Sequence, residues 1–278
     1  MSSPAAAPEF LKGHGTENDF VLLPDPDDVL DLTPGRVRAL CDRRAGLGGD
    51  GVIRVVPVRD GGAERFFMDY YNADGSVAEM CGNGARVFAR YLVDAGWAEP
   101  GSIVFRTRGG TREARLGRVG DVSIEMGPAV VGVHSRALLG DREFAGIAVD
   151  VGNPHLVCAG VVDEPALDAL DLTRQPNFDP DVFPDGVNVE VVTTLGGEEV
   201  AMRVHERGVG ETRSCGTGTV AVAAAHLASA GRDAGRVAVR VPGGRVVVDI
   251  APGGATLTGP AVLVARGHLQ ADFWAAHR

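Results

Sequence analysis

The sequence predicts an α+β protein made of two similar lobes, and three observations carry this prediction. Most of the 278 residues form short runs typical of β-strands, separated by clusters of glycine, proline and aspartate. Few segments show helical periodicity. Two stretches, "MCGNGAR" (80–86) and "SCGTGTV" (214–220), repeat a Cys-Gly-x-Gly pattern at the start of a predicted helix. This repetition indicates an internal duplication, and so two lobes of similar construction.

Alternating or β-branched-rich segments predict the strands. In the first half of the chain they are residues 19–23, 51–56, 64–71, 102–107 and 121–126. In the second half they are residues 146–151, 155–161, 186–192, 200–206, 236–241, 245–250 and 261–266.

Three helices are predicted between these strands. The first spans 33–43, with Thr33 as N-cap and Pro34 at its first position. The second follows Cys81 and ends near Gly96; its apolar positions recur at helical spacing. The third follows Cys215 and is small and apolar nearly all round, which is typical of a helix buried on several sides.

Equal spacing supports the duplication. Asn72 lies nine residues before Cys81, and Glu206 lies nine residues before Cys215, each at the end of a predicted strand. The alternative, that glycine-rich helix starts recur by chance, stays open at this point. We therefore expect an N-terminal lobe of residues 1–127 that carries Cys81 and is completed by 267–278. Residues 128–266, with Cys215, form the second lobe.

Composition excludes several classes of function. The net charge of −10 and the pI of about 5.2 argue against nucleic acid or an anionic membrane as partner. The first eight residues are too weakly apolar for a signal peptide, and no run approaches a membrane span of about 20 apolar residues. We expect a cytoplasmic protein with reduced thiols. A single lysine, Lys12, disfavours a Schiff-base cofactor, and the cysteines lack C-x-x-C spacing for a metal.

The four cysteines divide into two kinds. Cys41 lies inside a predicted helix and Cys158 in an apolar strand, and both are predicted to be buried apolar side chains. Cys81 and Cys215 stand among glycines at helix starts, where the helix dipole is expected to lower a thiol pKa from its usual value of about 8.5. The free backbone N–H groups of residues 82–83 and 216–217 are suited to hold a carboxylate.

Two such thiols suit a particular chemistry. If the lobes face each other, one thiolate removes an α-proton next to the bound carboxylate and the opposite thiol returns a proton from the other face. This exchange inverts a stereocentre without a cofactor. The pair is expected to titrate as a coupled unit. A "GLGGDG" segment (46–51) follows a helix instead of a strand, so the nucleotide-binding interpretation is rejected.

Six ordered motifs resemble those of the diaminopimelate epimerase family. They are "HGTENDF" (14–20), "GLGGDG" (46–51), "YNADGSVAEMCGNGAR" (71–86), "GNPH" (152–155), "GVNVE" (186–190) and "ERGVGETRSCGTGT" (206–219). The resemblance covers residues 10 to 268 approximately. It implies two pseudo-symmetric lobes, each a β-barrel-like sheet around a central helix. It also implies epimerisation of LL-2,6-diaminoheptanedioate to the meso form for lysine and peptidoglycan precursors, without a cofactor or metal.

The resemblance also implies site residues. Cys81 and Cys215 are the catalytic bases, and His155 is a supporting residue. The implied substrate contacts are Asn18, Asn72, Gly82, Asn83, Asn153, Asn188, Glu206, Arg207, Gly216 and Thr217. Arg207 is suited to bind a distal carboxylate through a bidentate fork. For Asn72 the plainer interpretation, a turn-forming residue, stays open. Family members are often homodimers, so a homodimer is expected.

Three other classes of protein share part of this pattern. A proline racemase-like enzyme also uses two catalytic thiols, but it binds one small ring and has less need of Arg207. Such racemases often carry His at the position of Asn83. A phenazine-biosynthesis isomerase shares the fold without the thiol pair. A metal- or thiol-binding module without catalysis is the third alternative. The chain departs from many family members at Gly51, where they have Gln, so that substrate contact is not transferred.

Overall fold

The computed structural model describes residues 7–60 and 62–277. The helices are α1 Pro34–Cys41, α2 Gly82–Asp94, α3 Glu164–Asp168, α4 Gly216–Ser229 and α5 Ala271–Ala276. The first nine strands are β1 Glu9–Gly15, β2 Asn18–Pro24, β3 Gly51–Pro57, β4 Phe66–Asn72, β5 Gly101–Thr107, β6 Gly110–Leu116, β7 Val122–Gly127, β8 Val130–Leu139 and β9 Arg142–Asp150. The remaining strands are β10 Pro154–Cys158, β11 Asn177–Phe178, β12 Asn188–Gly196, β13 Glu199–Glu206, β14 Gly210–Thr212, β15 Gly235–Val241, β16 Gly244–Ala251, β17 Gly254–Gly259 and β18 Val262–His268.

Two compact units make up the chain. Unit 1 runs to Ile124 and resumes at Pro260, and unit 2 runs from Glu125 to Gly259. In unit 1 the strands join in the order β18-β1-β2-β3-β4-β5-β6-β7. The β2–β3 and β4–β5 pairs are parallel, and the other neighbours are antiparallel.

Unit 2 repeats this topology. Its strands join in the order β8-β9-β10-β12-β13-β15-β16-β17, with β10–β12 and β13–β15 parallel and the other neighbours antiparallel. The parallel steps therefore occupy the same places in both orders. The connecting helices also correspond, since α1 and α3 lead into the first parallel step and α2 and α4 into the second. The short strands β11 and β14 pair with β8 and β13.

One helix lies at the centre of each unit. Helix α2 packs against β1, β2, β3, β6 and β18, and α4 packs against β8, β9, β10, β12, β13, β15, β16 and β17. All residues of α2 except Asp94 are buried, which includes Phe88 and Leu92 with no exposed surface. Full burial of one such side chain stabilises the fold by about 1.5–3 kcal/mol. The strands of each unit therefore enclose the helix that its cysteine begins.

Each unit has its own hydrophobic core beside the central helix. In unit 1, α1 packs on the sheet through Val37 and Leu40, which contact Val21 and Val52 among others. In unit 2, a second core gathers Phe144, Leu156, Leu172, Phe183, Val187, Val189 and Val191. No helix within the described ranges is long and apolar enough to cross a bilayer.

The predicted strands and helices are present, with shifts of a few residues at their ends. Thr33 caps α1 by accepting a hydrogen bond from the Arg36 N–H at 3.2 Å, and Pro34 is the first helical residue, as predicted. Gly96 has a φ of 71°, the left-handed conformation that ends a helix. The prediction missed β1, β6, β8, β11, β14, β17, α3 and α5.

Candidate active site

Cys81 and Cys215 occupy the same position, the N-cap, on α2 and α4. Both have extended backbone angles, with φ of −138° at Cys81 and −119° at Cys215. In each case the sulfur accepts a hydrogen bond at 3.4 Å from the amide three residues later, Gly84 or Gly218. The two motifs therefore start helices as predicted, and each sulfur lies against the positive end of a helix dipole.

Asparagine side chains surround Cys81 in unit 1. Asn18 Oδ1 lies 3.6 Å from the Cys81 sulfur and accepts a hydrogen bond at 3.1 Å from Asn83 Nδ2. Asn18 Nδ2 donates to Asp50 at 2.7 Å, and Asp50 is paired with Arg43. This network fixes the Asn18 amide with its oxygen toward the sulfur. The structure thus brings Asn18, Asn83 and Cys81 together.

Asn72 is held in a turn. It ends β4, donates from Nδ2 to Ser76 Oγ at 3.0 Å and donates its backbone N–H to the Ser76 carbonyl at 2.9 Å. These bonds are those of a turn-forming asparagine. The backbone amides of Gly82 and Asn83 belong to the first turn of α2, where N–H groups have no acceptor within the helix.

A hydrogen-bonded chain leads to Cys215 in unit 2. Glu190 Oε1 lies 2.7 Å from His155 Nδ1, and His155 Nε2 lies 3.0 Å from Asn153 Oδ1. Asn153 Nδ2 donates to Thr217 Oγ1 at 3.4 Å, and Thr217 Oγ1 lies 3.5 Å from the Cys215 sulfur. Three predicted residues, Asn153, His155 and Thr217, are therefore joined to Cys215. Glu190, at the far end, was not predicted as a site residue.

Burial and negative charge control the protonation of Cys215. Burial raises the pKa of Cys215 well above the ordinary thiol value, and the charges of Glu206 and Glu190 raise it further. Burial also raises the pKa of Glu206, against hydrogen bonds with Thr212 and Cys215 that lower it. The expectation of a lowered thiol pKa is therefore wrong for Cys215, because desolvation outweighs the hydrogen bonds with Thr217 and the Gly218 N–H that lower the pKa.

The side chain of Asn188 binds the backbone N–H of Arg207. Asn188 Oδ1 accepts from the Arg207 N–H at 3.0 Å, and Asn188 Nδ2 donates to the Pro154 carbonyl at 2.9 Å. The Arg207 guanidinium donates to the Asp185 carbonyl at 3.0 Å. Asn188 thus holds the loop after β13 against the start of β10. Gly216 begins α4 as Gly82 begins α2.

Arg86 is a second residue that the prediction missed. Its side chain has no exposed surface, although arginine is seldom fully buried. The signal was present in both cases: Arg86 stands with Arg90 in the mainly apolar stretch "ARVFARYLV", and Glu190 stands with Asn188 in "VNVEVV". A charge at an inward position of a buried element indicates a function or a partner.

Gly51, where the sequence departs from the family pattern, has no room for a side chain. A Cβ atom there would lie 2.5 Å from the Tyr71 carbonyl oxygen and 2.6 Å from Tyr70 Cε2. The neighbouring tyrosines therefore require glycine at this position. Cys41 and Cys158 are buried, as predicted, and burial raises the pKa of each to about 12.

The duplicated fold is shared with solved structures of isomerases. A Pseudomonas aeruginosa protein described as a predicted epimerase matches 95% of this chain and 99% of its own, with a TM-score of 0.72 and 18% identity. A hydroxyproline epimerase from Agrobacterium vitis matches 98% of each chain, with a TM-score of 0.68 and 16% identity. The chain thus has the two-lobed α+β fold of these structures, which confirms the predicted fold class.

Sequence comparison identifies the family within that class. The sequence profile described as diaminopimelate epimerase matches residues 10–132 and 147–264. The diaminopimelate epimerase of Rhodococcus opacus is 51% identical, over 96% of this chain and 98% of that protein. The chain belongs to the diaminopimelate epimerase family and is an isomerase with epimerase activity, which confirms the resemblance found in its motifs.

Proposed function

We propose that this protein converts LL-2,6-diaminoheptanedioate to the meso form by proton transfer at one α-carbon, with Cys81 and Cys215 as the two acid–base groups. The observation that carries the proposal is the matched geometry of the two cysteines. Each cysteine caps a helix, and each sulfur accepts a hydrogen bond at 3.4 Å from the backbone N–H three residues later. Turnover in this scheme requires that the substrate reach both sulfurs.

The proton balance is simple. A thiolate takes the α-proton and becomes a thiol, while the opposite thiol gives its proton to the other face of the carbon and becomes a thiolate. The carbanion between the two steps spreads its charge onto the α-carboxylate. Backbone amides at Gly82, Asn83, Gly216 and Thr217 are the proposed donors to that carboxylate, since N–H groups at a helix start stabilise negative charge.

The remaining contacts serve substrate recognition. Arg207 is proposed to bind the distal carboxylate, while Glu206 and the amides of Asn18, Asn72, Asn153 and Asn188 bind the polar groups around the two amino-acid ends. His155 supports the Cys215 side through Asn153. No cofactor is assigned a step, and Lys12 is engaged by Asp19 at 2.6 Å and by the Gly48 carbonyl, so its amine serves the packing of β1 and β2.

The reaction places the protein in the synthesis of lysine and of peptidoglycan precursors, in the cytoplasm. A homodimer is the proposed assembly, and light scattering of the purified protein tests it.

Solvent exchange tests the reaction. The purified protein is incubated with LL-diaminopimelate in heavy water, with proline as the control substrate. The meso product is expected to carry deuterium at one α-carbon, because the returned proton comes from a thiol that exchanges with solvent. Proline is expected to remain unlabelled. Meso product without deuterium, or labelling of proline alone, would contradict the proposal.

A further inference from the structure

Asp50 lies in the "GLGGDG" segment (46–51), which has no role in the proposed function. Strands β2 and β3 pair in parallel, and this pairing places Asp50, just before β3, beside Asn18 at the start of β2. The Asp50 backbone N–H donates to the Asp19 carbonyl at 2.7 Å, and the Asp50 carbonyl accepts from the Ala73 N–H at 3.1 Å. The backbone of Asp50 is therefore held from both sides.

The side chain of Asp50 decides how the Asn18 amide is turned. Its Oδ2 accepts hydrogen bonds from Asn18 Nδ2 at 2.7 Å and from the Asp19 N–H at 3.1 Å. Its Oδ1 accepts a hydrogen bond from Arg43 at 2.7 Å, within an ion pair. An ionised carboxylate has no hydrogen to donate, so the Asn18 group that faces it is the NH2 group. An Asn18 amide turned the other way would lose this hydrogen bond.

The orientation of the Asn18 amide determines which atom faces Cys81. With Nδ2 at Asp50, Oδ1 lies 3.6 Å from the Cys81 sulfur and accepts a hydrogen bond from Asn83 Nδ2 at 3.1 Å. An amide oxygen accepts a hydrogen bond from a thiol but repels a thiolate. The Gly84 N–H, 3.4 Å from the same sulfur, is a donor and so favours the thiolate. These two contacts therefore favour opposite protonation states of Cys81.

We propose that Asp50 is a positioning residue: it turns the oxygen of the Asn18 amide toward Cys81 and so stabilises the protonated thiol of Cys81. In the proposed reaction this is the form of Cys81 that gives a proton to the α-carbon. Without the carboxylate, the Asn18 amide is free to turn and to place an N–H group at the sulfur, where it stabilises the thiolate. The catalytic part of this inference rests on the proposed function; the effect on the thiol does not.

Alkylation of Cys81 measures the effect on the thiol. Asp50→Asn replaces the carboxylate by an amide of the same shape, which donates as well as accepts and so leaves Asn18 free to turn. In the full-length protein, the rate of Cys81 alkylation by iodoacetamide is followed from about pH 5 to about pH 10 by peptide mass spectrometry. We expect the midpoint of this rate to fall by about one pH unit in Asp50→Asn. The charges of Arg86 and Glu79, near Cys81 in the sequence, are the same in every variant.

Asp19→Asn is the matched control for the loss of a negative charge. Asp19 follows Asn18 in β2 and pairs with the same arginine, Arg43, at 2.7 Å. The variant removes the same charge from the same cluster but leaves the hydrogen bond between Asp50 and Asn18 in place. The alkylation midpoint of Cys81 in Asp19→Asn is expected to stay within about 0.3 pH units of the wild-type midpoint, because solvent screens the charge.

A double-mutant cycle shows whether Asp50 acts through Asn18. Asn18→Ala removes the amide and is expected to lower the Cys81 midpoint, since the acceptor at the sulfur is lost. Asp50→Asn is expected to have no further effect on the midpoint when it is combined with Asn18→Ala. Melting temperatures show that each variant is folded. If Asp50→Asn does not fold, Asp50→Ser, which also lacks the carboxylate, takes its place.

The outcomes separate the two claims. An unchanged midpoint in Asp50→Asn, an equal fall in Asp19→Asn, or a fall of the same size on top of Asn18→Ala would overturn the role of Asp50. A lowered midpoint in a protein that does not epimerise diaminopimelate would overturn the proposed function and leave the effect on the thiol intact. With both claims correct, the lower pH limb of kcat/KM for LL-diaminopimelate moves down with the midpoint in Asp50→Asn and stays in place in Asp19→Asn.

Discussion

Glu190 and His155 form a fully buried pair whose hydrogen-bond geometry fixes its proton content. His155 Nε2 faces Asn153 Oδ1 at 3.0 Å, and an amide oxygen only accepts, so Nε2 carries a hydrogen. The contact of 2.7 Å between Nδ1 and Glu190 Oε1 then holds one shared proton. The pair has no net charge in either arrangement of that proton. This neutrality allows it to remain in the core beside Cys215.

The Glu190 carboxyl is predicted to make stability depend on pH. Burial raises the pKa of Glu190 from 4.5, while His155 lowers it by less. Stability from this group is therefore complete below its unfolded-state pKa and is lost as the pH rises through the raised value. The free energy of unfolding of Glu190→Gln, measured by urea unfolding, is expected to improve relative to wild type between pH 4.5 and pH 8, because the variant lacks the group whose contribution is lost.

The matched control is Glu211→Gln, which removes a less buried carboxylate paired with Arg203 at 2.6 Å in the same unit. It is expected to lose stability at pH 8. If Glu190→Gln lost stability equally at pH 4.5 and pH 8, the raised pKa would be refuted.

Residues could be predicted from the sequence where a motif marks them. Cys81, Cys215 and His155 lie in motifs, and the structure places each beside polar partners. Arg86 and Glu190 were missed because a charged letter in a sequence usually marks a solvent-exposed face. The high pKa of Cys215 was missed as well, because it depends on depth of burial and on Glu206 across a strand turn. The burial of Cys215 and its proximity to Glu206 arise from tertiary packing, which the local sequence does not indicate.

The starts of α2 and α4 are alike in backbone but differ in what packs against them. The third residue after each cysteine is glycine, Gly84 or Gly218. A Cβ at Gly84 would lie 3.0 Å from Met68 Cε and 3.1 Å from Ile53 Cδ1, which are the ends of flexible side chains. A Cβ at Gly218 would lie 2.7 Å from Glu190 Oε1. The carboxyl is buried and hydrogen-bonded, so it has little freedom to move.

Alanine at these two positions is therefore expected to have unequal effects. Gly218→Ala should destabilise the fold by about 1–3 kcal/mol through overpacking and lower kcat at least tenfold by displacing Glu190. Gly84→Ala should change stability by less than about 1 kcal/mol, because higher helix propensity offsets the close contacts. Urea unfolding and steady-state kinetics measure both. Equal losses in the two variants would contradict the asymmetry.

Elements were predictable where one face is buried. The missed strand β8 is largely exposed, with Val130 and Val133 each 60% exposed, so it lacks an apolar alternation. The missed β6, "GTREARL", carries charges at three of its seven positions, and only Ala114 and Leu116 are buried. Such strands form because a neighbour offers its backbone, and β9 and β5 supply those hydrogen bonds. The residues of such a strand do not indicate which strand it pairs with.

At the scale of the whole molecule, the duplication accounts for two similar sites in one chain. Both units have the same order of strands, the same parallel steps and a cysteine-capped helix before the second parallel step. The spacing of nine residues from strand end to cysteine, visible in the sequence, follows from this shared topology. The pairing of β18 with β1, at opposite ends of the chain, has no local signal in the sequence.

The two units differ in the groups that lie beside their cysteines. Beside Cys81 lie the neutral amides of Asn18 and Asn83, and beside Cys215 lie the buried carboxyl groups of Glu190 and Glu206. A reaction that needs one thiolate and one thiol at the same time benefits from such a difference. Two identical half-sites would have equal thiol pKa values and no preferred resting state.

Loss of either thiol tests the central claim, that one proton is removed by one cysteine and returned by the other. Cys81→Ser and Cys215→Ser are compared with Cys41→Ser, a buried cysteine outside the site, for conversion of LL-diaminopimelate in heavy water. The account predicts that each site variant loses at least about 100-fold in kcat while folded, and that Cys41→Ser turns over at the wild-type rate. Wild-type conversion by either folded site variant would contradict it.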